Sequence, residues 1–385
     1  MHSLPSRGTF LCMSKNIVVC CDGTANEFAE NRTNVIKLYS VLRNDAQNQI
    51  TFYHPGIGTM EPFGSLSSLT RRFTRILGMA VGYGLENDIR DAYAFLVQNY
   101  ESGDNIYLFG FSRGAFTVRA VASLVHWYGL IRKGNEPLIP YAIRMLMAIQ
   151  RAKSPIDVAD YFDLARQFRQ IMACAKPAIH FVGVWDTVSS VGWVDNPLHL
   201  PAEANNPDIE IGRHAVSIDE HRAFFRSHLW VRPLDPAKPH GPRDVKQVWF
   251  PGVHCDVGGG YEEKCSGISK YALAWMIEEG KAAGLMVDDS REFDVLGLSP
   301  GSQYAPAAPD ATKHKSLKGA WNFAEFIPKR HWNADRERWE RRMNLYRRRT
   351  MPAGSLVHES AYLQGADYQK RFPQNAVMVP ILRAS

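Results

Sequence analysis

The run Gly110-Phe111-Ser112-Arg113-Gly114 sets a serine between two glycines. An apolar run of buried-strand length, with Ile106, Leu108 and Phe109, precedes it, and Ala115 to Val125 continues at helical spacing. Strand, tight turn and helix in this order are the pattern of a nucleophile elbow, which lifts a serine hydroxyl above the edge of a sheet. The glycines have a steric reason: the flanking backbones approach too closely to admit a Cβ, and the serine sits in a strained conformation. Taken alone the pentapeptide is a weak signal, equally readable as a glycine-punctuated turn without chemistry.

A serine hydroxyl attacks poorly unless a base takes its proton, and the base must be oriented by a third group. Asp186 follows the apolar segment Ala178 to Trp185, and His254 follows Val245 to Phe250. The order Ser112, Asp186, His254 is the chain order of α/β-hydrolases. These residues are therefore assigned as nucleophile, orienting carboxylate, and general base then acid. Asp186 could instead cap a turn, and His254 could pack inertly beside Gly258-Gly259-Gly260, although three glycines suit a loop that must turn sharply after a catalytic histidine. Asp256, two residues beyond His254, is a rival for the acid role. Acyl transfer also needs an oxyanion hole. The backbone N–H of Arg113 is one expected donor, and Gly23-Thr24, after an earlier strand, would supply the second, with Asp22 in support. Asp22-Gly23-Thr24 invites a different reading, since haloacid-dehalogenase-type phosphatases use Asp-x-Asp-Gly-Thr; Cys20 replaces their first aspartate here, which counts against phosphoryl transfer. His254 and Asp256 lack a third and fourth ligand at credible spacing, so no metal and no cofactor are expected.

The elements that would hold these residues alternate. Strands are expected at Ile17–Cys21, Ile50–His54, Asn105–Phe109, Ala178–Trp185 and Val245–Phe250; helices at 34–42, 67–79, 84–100, 139–168, 213–228 and 268–283. Apolar strands alternating with helices predict a doubly wound, mostly parallel α/β sheet with helical insertions, and ligands bind such sheets beyond the carboxyl ends of the strands. Asp22, Ser112, Asp186 and His254 all fall at such ends. Residues 1–14 read as a disordered leader and 15–385 as a single domain. Lid insertions are expected near 131–175 and 195–244, with Met145 to Met147 and Phe224-Phe225 as candidates for the inner face and ordinary core as the alternative. Near 329–349 a basic, aromatic helical region is expected, either interfacial on anionic lipid or solvated and salt-bridged.

The chain of 385 residues is long enough for a large core, and its net charge of +6 suits loose attraction to anionic surfaces without arguing for nucleic acid. Six scattered cysteines without a Cys-x-x-Cys pair favour a reducing compartment. No signal peptide and no membrane-spanning run is evident, so a cytoplasmic location is expected, and nothing in the residues argues for delivery into another cell.

Several motifs in order resemble the DUF2235 family: Cys21-Asp-Gly-Thr-Ala-Asn26, Asn31-Arg-Thr-Asn-Val35, Tyr53-His-Pro-Gly-Ile-Gly-Thr59, Gly110 to Phe116, Val184-Trp-Asp-Thr-Val188, Ser217-Ile-Asp-Glu220 and Trp249 to Tyr261. The resemblance covers roughly residues 15 to 280, and more weakly 357–360. This α/β-hydrolase group includes the catalytic domain of type VI secretion phospholipase effectors. It implies an esterase or lipase with a Ser-Asp-His triad, a small-molecule or lipid ester as substrate, and phospholipid as one substrate class. No large membrane-docking module or delivery domain of the secreted effectors is evident. The alternative is a hydrolase-fold module that binds lipid or a partner without catalysis.

Overall fold

The computed structural model describes residues 14–23, 32–56, 84–149, 154–188, 192–193, 196–197, 200–230, 241–311, 313–319, 321–333 and 338–381. Eight strands form one sheet: β1 (Asn16–Cys21), β2 (Gln49–His54), β3 (Asn105–Phe111), β4 (Ile179–Trp185), β5 (Ile209–Ser217), β6 (Asp244–Phe250), β7 (Leu356–His358) and β8 (Val377–Val379). Their spatial order is β8-β7-β6-β5-β4-β3-β1-β2, and every neighbouring pair is parallel. This is the doubly wound α/β fold that the alternating elements predict.

The helices cover both faces. Period-two alternation sends Ile17, Val19, Ile106 and Leu108 into a core shared with α2 (Leu85–Asn99), α3 (Arg113–Tyr128), α4 (Ile139–Ala148) and α5 (Pro155–Met172). Val18, Cys20, Tyr107 and Phe109 point the other way, into a core shared with α1 (Asn34–Val41) and α7 (Ser269–Ala282). Local signals start these helices. Thr33 caps α1, accepting from the Ile36 N–H, and Ser154 with Asp157 forms a capping box on α5, with Pro155 at its first position. After β1 the chain lays β2 on one side, then returns to lay β3 on the other and proceeds outward. The direction therefore reverses between β1 and β3, and that crevice is where ligands bind such sheets. Ser112 follows the end of β3, and Asp22-Gly23 follows the end of β1.

Two expectations fail, and at a third the alternative of ordinary core holds. Residues 213–228, read as helix, and much of the insertion near 195–244 instead contain the central strand β5. Arg213 and His214 broke its apolar run. Both are buried, Arg213 against Glu279 (2.5 Å) and Asp244 (2.6 Å), and His214 with Nε2 accepting the Thr187 N–H (3.1 Å). Partners that distant are invisible to a local pattern. In the insertion near 131–175, Met145 and Leu146 are buried in the α2–α5 core, so this patch is ordinary packing and not a lid face. The basic region 329–349 is not helical. Lys329–Asn333 and Arg338–Arg342 are strands that pair antiparallel, in a register that sets Lys329 opposite Arg342 and Asn333 opposite Arg338. The helix expected at 67–79, most of the leader and Thr24 lie outside the described residues.

Candidate active site

Ser112 immediately precedes α3, with φ 58° and ψ −118°, a backbone region that costs a non-glycine residue of order 1–3 kcal/mol. Its flanks explain how the turn is reached. A Cβ on Gly110 would lie 2.5 Å from the Gly114 carbonyl oxygen, and one on Gly114 would lie 2.1 Å from that of Cys21. Both obstacles are backbone and cannot rotate away. Gly114→Ala is therefore expected to push α3 off the end of β1 and destabilise the fold by about 1–3 kcal/mol, read as a lowered urea midpoint. An unchanged midpoint would refute this packing account.

The sheet brings the sequence-predicted residues together. The Ser112 N–H donates to the Trp185 carbonyl (3.1 Å), which carries the β3–β4 pairing up to Asp186. Asp186 is fully buried with φ 41°, and its own N–H donates to the Ala215 carbonyl (2.8 Å). His254 opens the short helix α6 (His254–Gly258), and Gly259, at φ 78°, makes the turn that follows. His254 Nδ1 lies 2.6 Å from Asp186 Oδ2, and His254 Nε2 lies 2.8 Å from Ser112 Oγ. An ionised Asp186 can only accept, so Nδ1 carries the proton and Nε2 accepts from the serine hydroxyl. Burial lowers the His254 pKa from the ordinary 6.5, against the pull of Asp186, and keeps the ring neutral at pH 7.

Asp256 sits elsewhere. Its Oδ1 lies 2.7 Å from His314 Nδ1, and its Oδ2 accepts from the backbone N–H groups of Val253 (2.9 Å) and His314 (3.1 Å). It shapes the start of α6 and is not the carboxylate hydrogen-bonded to the His254 ring. Asp22 is buried; its Oδ2 accepts from Thr33 Oγ1 (2.5 Å) and the Tyr53 hydroxyl (2.9 Å), and its Oδ1 from the Gly23 N–H (2.6 Å). Gly23 thus has its N–H engaged by Asp22. Arg113 is the first residue of α3, and its N–H belongs to the first turn of a helix, which lacks intrahelical acceptors. The Arg113 side chain is buried, and near it burial pushes the Asp88 carboxyl up to about 7 despite the pull of Arg113. Cys20, where a phosphatase of the rival reading would carry its nucleophile, is fully buried within the sheet.

Two charged residues escaped the sequence reading. Arg349, read as part of a surface helix, is buried: Nη1 donates to Asp186 Oδ1 (2.5 Å) and Nη2 to Asp186 Oδ2 (3.1 Å). The Ser217 N–H also donates to Asp186 Oδ1 (2.9 Å), and the Phe225 carbonyl accepts from Arg349 Nε (3.1 Å). Burial alone would push the Asp186 carboxyl up; Arg349 and His254 outweigh it and hold the group well below the usual carboxylate range. Glu220, noted only as part of a motif, is fully buried. It accepts from Arg222 Nη2 (2.9 Å) and Nε (3.0 Å) and from the His254 N–H (3.3 Å). Phe225 stands edge-on to the His254 ring at 4.9 Å, and the Arg222 guanidinium lies 3.5 Å above the Phe225 ring. Phe225 therefore borders the site, whereas Phe224 packs against Trp321, ring centroids 6.2 Å apart. Among the described residues no group of three or more His, Cys, Asp or Glu side chains could hold a metal ion, and no helix is long and apolar enough to cross a membrane.

Residues 15–279 match the family model described as type VI secretion system phospholipase effector Tle1-like, catalytic domain. An uncharacterized protein of Saccharomyces cerevisiae is 36% identical over 220 residues, covering 55% of this chain and 32% of that protein. The crystal structure of an uncharacterized protein from Pseudomonas aeruginosa aligns with a TM-score of 0.41 and 21% identity, over 73% of this chain and 47% of that one. The Tle1 effector bound to the VgrG spike of the type VI secretion system aligns with a TM-score of 0.34 and 18% identity, over 69% and 53%. The chain thus spans about a third of the length of the curated relative and about half of each solved structure.

Proposed function

This chain belongs to the family of Tle1-like phospholipase effector catalytic domains, and from that premise we propose that it is a serine hydrolase that cleaves carboxylic esters of lipids, phospholipids foremost, through an acyl-enzyme. The observation that carries the reading is the continuous relay from Asp186 through His254 to Ser112, at 2.6 and 2.8 Å, beyond the carboxyl ends of β3, β4 and β6. His254 Nε2 takes the hydroxyl proton as Ser112 Oγ attacks the ester carbonyl, and Asp186 stabilises the imidazolium. The oxyanion forms at the N-terminus of α3, where the Arg113 N–H and the helix dipole favour negative charge. Gly23-Thr24 is the segment expected to supply the second donor, and with the Gly23 N–H held by the Asp22 carboxylate, Thr24 is the candidate. Collapse expels the alcohol, which takes the proton from His254. Water, deprotonated by the same ring, then releases the acid. The non-catalytic reading would gain from a His254 beyond reach of Ser112, and the 2.8 Å separation supports the catalytic one.

The test is a panel of p-nitrophenyl esters of graded chain length beside a set of phospholipids. The expected result is cleavage of both, with preference for longer acyl chains. Cleavage of neither by folded protein would overturn the reading.

Arg349 acts in this scheme as a positioning residue, because it fixes both oxygens of Asp186. With His254 held below 6.5, kcat/KM should stay flat through neutral pH and fall only as the ring gains its proton on acidification. Arg349→Met removes a cation from Asp186 and leaves the full carboxylate charge to the imidazolium. The His254 pKa then rises, and the acid limb of the profile moves to higher pH. Loss of orientation should also cost about 100-fold in kcat. Arg349→Lys, which keeps the charge, should restore the wild-type limb with part of the rate. A Met variant with the wild-type limb and rate would remove Arg349 from the mechanism.

A further inference from the structure

Leu345 and Tyr346 break two rules at once. Their φ angles are 48° and 61°, the left-handed region that disfavours residues with a Cβ, and their side chains are 48% and 43% exposed. Glycine or asparagine would suit such a turn better, and polar side chains would suit the exposure. Backbone strain of this kind persists only where the surroundings impose it. Here the agent is Glu325, itself fully buried. Its backbone carbonyl accepts from the N–H groups of Asn344 (3.1 Å) and Leu345 (3.2 Å), and its carboxylate accepts from the Tyr346 N–H (2.9 Å). The other carboxylate oxygen accepts from the Ala223 N–H (2.6 Å), which ties the turn to the loop that carries Phe225 onto His254. Three residues after Tyr346 comes Arg349, which grips Asp186.

The apolar surface extends to residues on either side of the two paired strands. Phe326 (50% exposed), Ile327 (43%) and Met343 (40%) flank the turn, and the Phe326 and Tyr346 rings meet edge-on at 6.0 Å. Arg341, Arg347 and Arg348 are exposed around it. The acidic groups of these described segments do not offset them at the surface: Glu325 is buried and Glu340 half-buried with a partner of its own. Contiguous exposed apolar side chains mark an interaction surface, and apolar groups fringed by cations match an anionic bilayer, with chains below and negative headgroups above.

We propose that the strained turn Asn344–Arg347, with Phe326, Ile327 and Met343, is the site by which this protein docks on an anionic lipid surface. The inference rests on the reading of the substrate as a lipid ester, and it adds where the lipid is met: on a turn joined through Glu325 and Arg349 to the wall of the active site. Insertion of Leu345 and Tyr346 supplies apolar burial, and the three arginines supply the preference for negative headgroups.

The test is flotation with phosphatidylcholine vesicles, with and without phosphatidylglycerol. Wild-type protein should bind the anionic vesicles roughly 100-fold more tightly than the neutral ones, from three arginines near the surface. The double variant Leu345→Asn/Tyr346→Asn places in the turn a residue that accepts left-handed backbone, so its thermal midpoint should not fall. Its vesicle binding should fall at least about tenfold. Replacing Arg341, Arg347 and Arg348 by glutamine should erase the difference between the two vesicle types. Wild-type protein that does not float, or a stable asparagine variant that floats as well as wild type, overturns the proposal. So does wild-type self-association abolished in the variant without any vesicle binding, which would make a second copy the occupant. A soluble short-chain ester separates the two readings: hydrolysis without flotation removes the docking surface alone, and flotation without hydrolysis of any ester removes the esterase alone.

Discussion

Ser112→Ala is expected to lower hydrolysis of every ester that the wild-type protein cleaves by about 10³- to 10⁶-fold in kcat, with KM little changed. The reason is structural as well as chemical. Among the described residues only Oγ of residue 112 meets His254 Nε2, at 2.8 Å, and alanine leaves the base with no proton to take. Water could occupy the gap, but without the orientation that a covalently held hydroxyl has. Alanine at 112 keeps the same positive φ of 58°, so the elbow should persist and the thermal midpoint should stay near that of wild type. A fluorophosphonate probe should label wild-type protein at Ser112 and leave the variant unlabelled. Full esterase activity in Ser112→Ala would falsify the assignment, as would labelling at a different residue in an active preparation.

Asp186→Asn should cost about 10⁴-fold in kcat. An amide can present N–H to His254 Nδ1 and so favours the tautomer that points a proton at Ser112. In this chain the change has a second consequence, because Asp186 also faces the buried guanidinium of Arg349. Removing one member of a buried ion pair strands the other, a cost of about 3–5 kcal/mol. The pH dependence has a definite sign. The folded-state pKa of Asp186 is depressed below the ordinary 3.8, so its contribution to stability is present above that value and is lost as the pH falls through the folded pKa. The stability gap between wild type and Asp186→Asn should therefore be constant through neutral pH and narrow only in strong acid. A variant as stable as wild type at pH 7, with kcat reduced less than tenfold, would show that Asp186 neither orients His254 nor anchors Arg349.

Why Ser112, Asp186 and His254 were legible is a matter of strand ends. Each follows an apolar segment whose burial is decided locally, and a parallel sheet brings the carboxyl ends of its strands to one edge. Gly110 and Gly114 were legible for a similar reason, since a turn from β3 into α3 leaves no room for a Cβ. Arg349 was not, because an arginine in a run of arginines looks solvated unless its partner is known, and its partner lies 163 residues away. Glu220 and Glu325 escaped likewise: acidic residues belong in a core only when donors converge on them, here Arg222 and His254 for one and the turn 344–346 for the other.

The amino-acid sequence by itself determined the alternation of apolar strands and helices, the doubly wound sheet, the elbow at Ser112 and the candidates at Asp186 and His254, because hydrophobic periodicity and glycine sterics act over a few residues. Tertiary structure alone decided that Asp186 rather than Asp256 meets the His254 ring, that Arg213 and His214 sit in a central strand, that Lys329–Asn333 and Arg338–Arg342 pair as strands, and that Arg349 closes on the site from the far end of the chain. Each of those outcomes depends on whether a buried charge or backbone group finds a partner, and the partner is supplied by segments that only folding brings near.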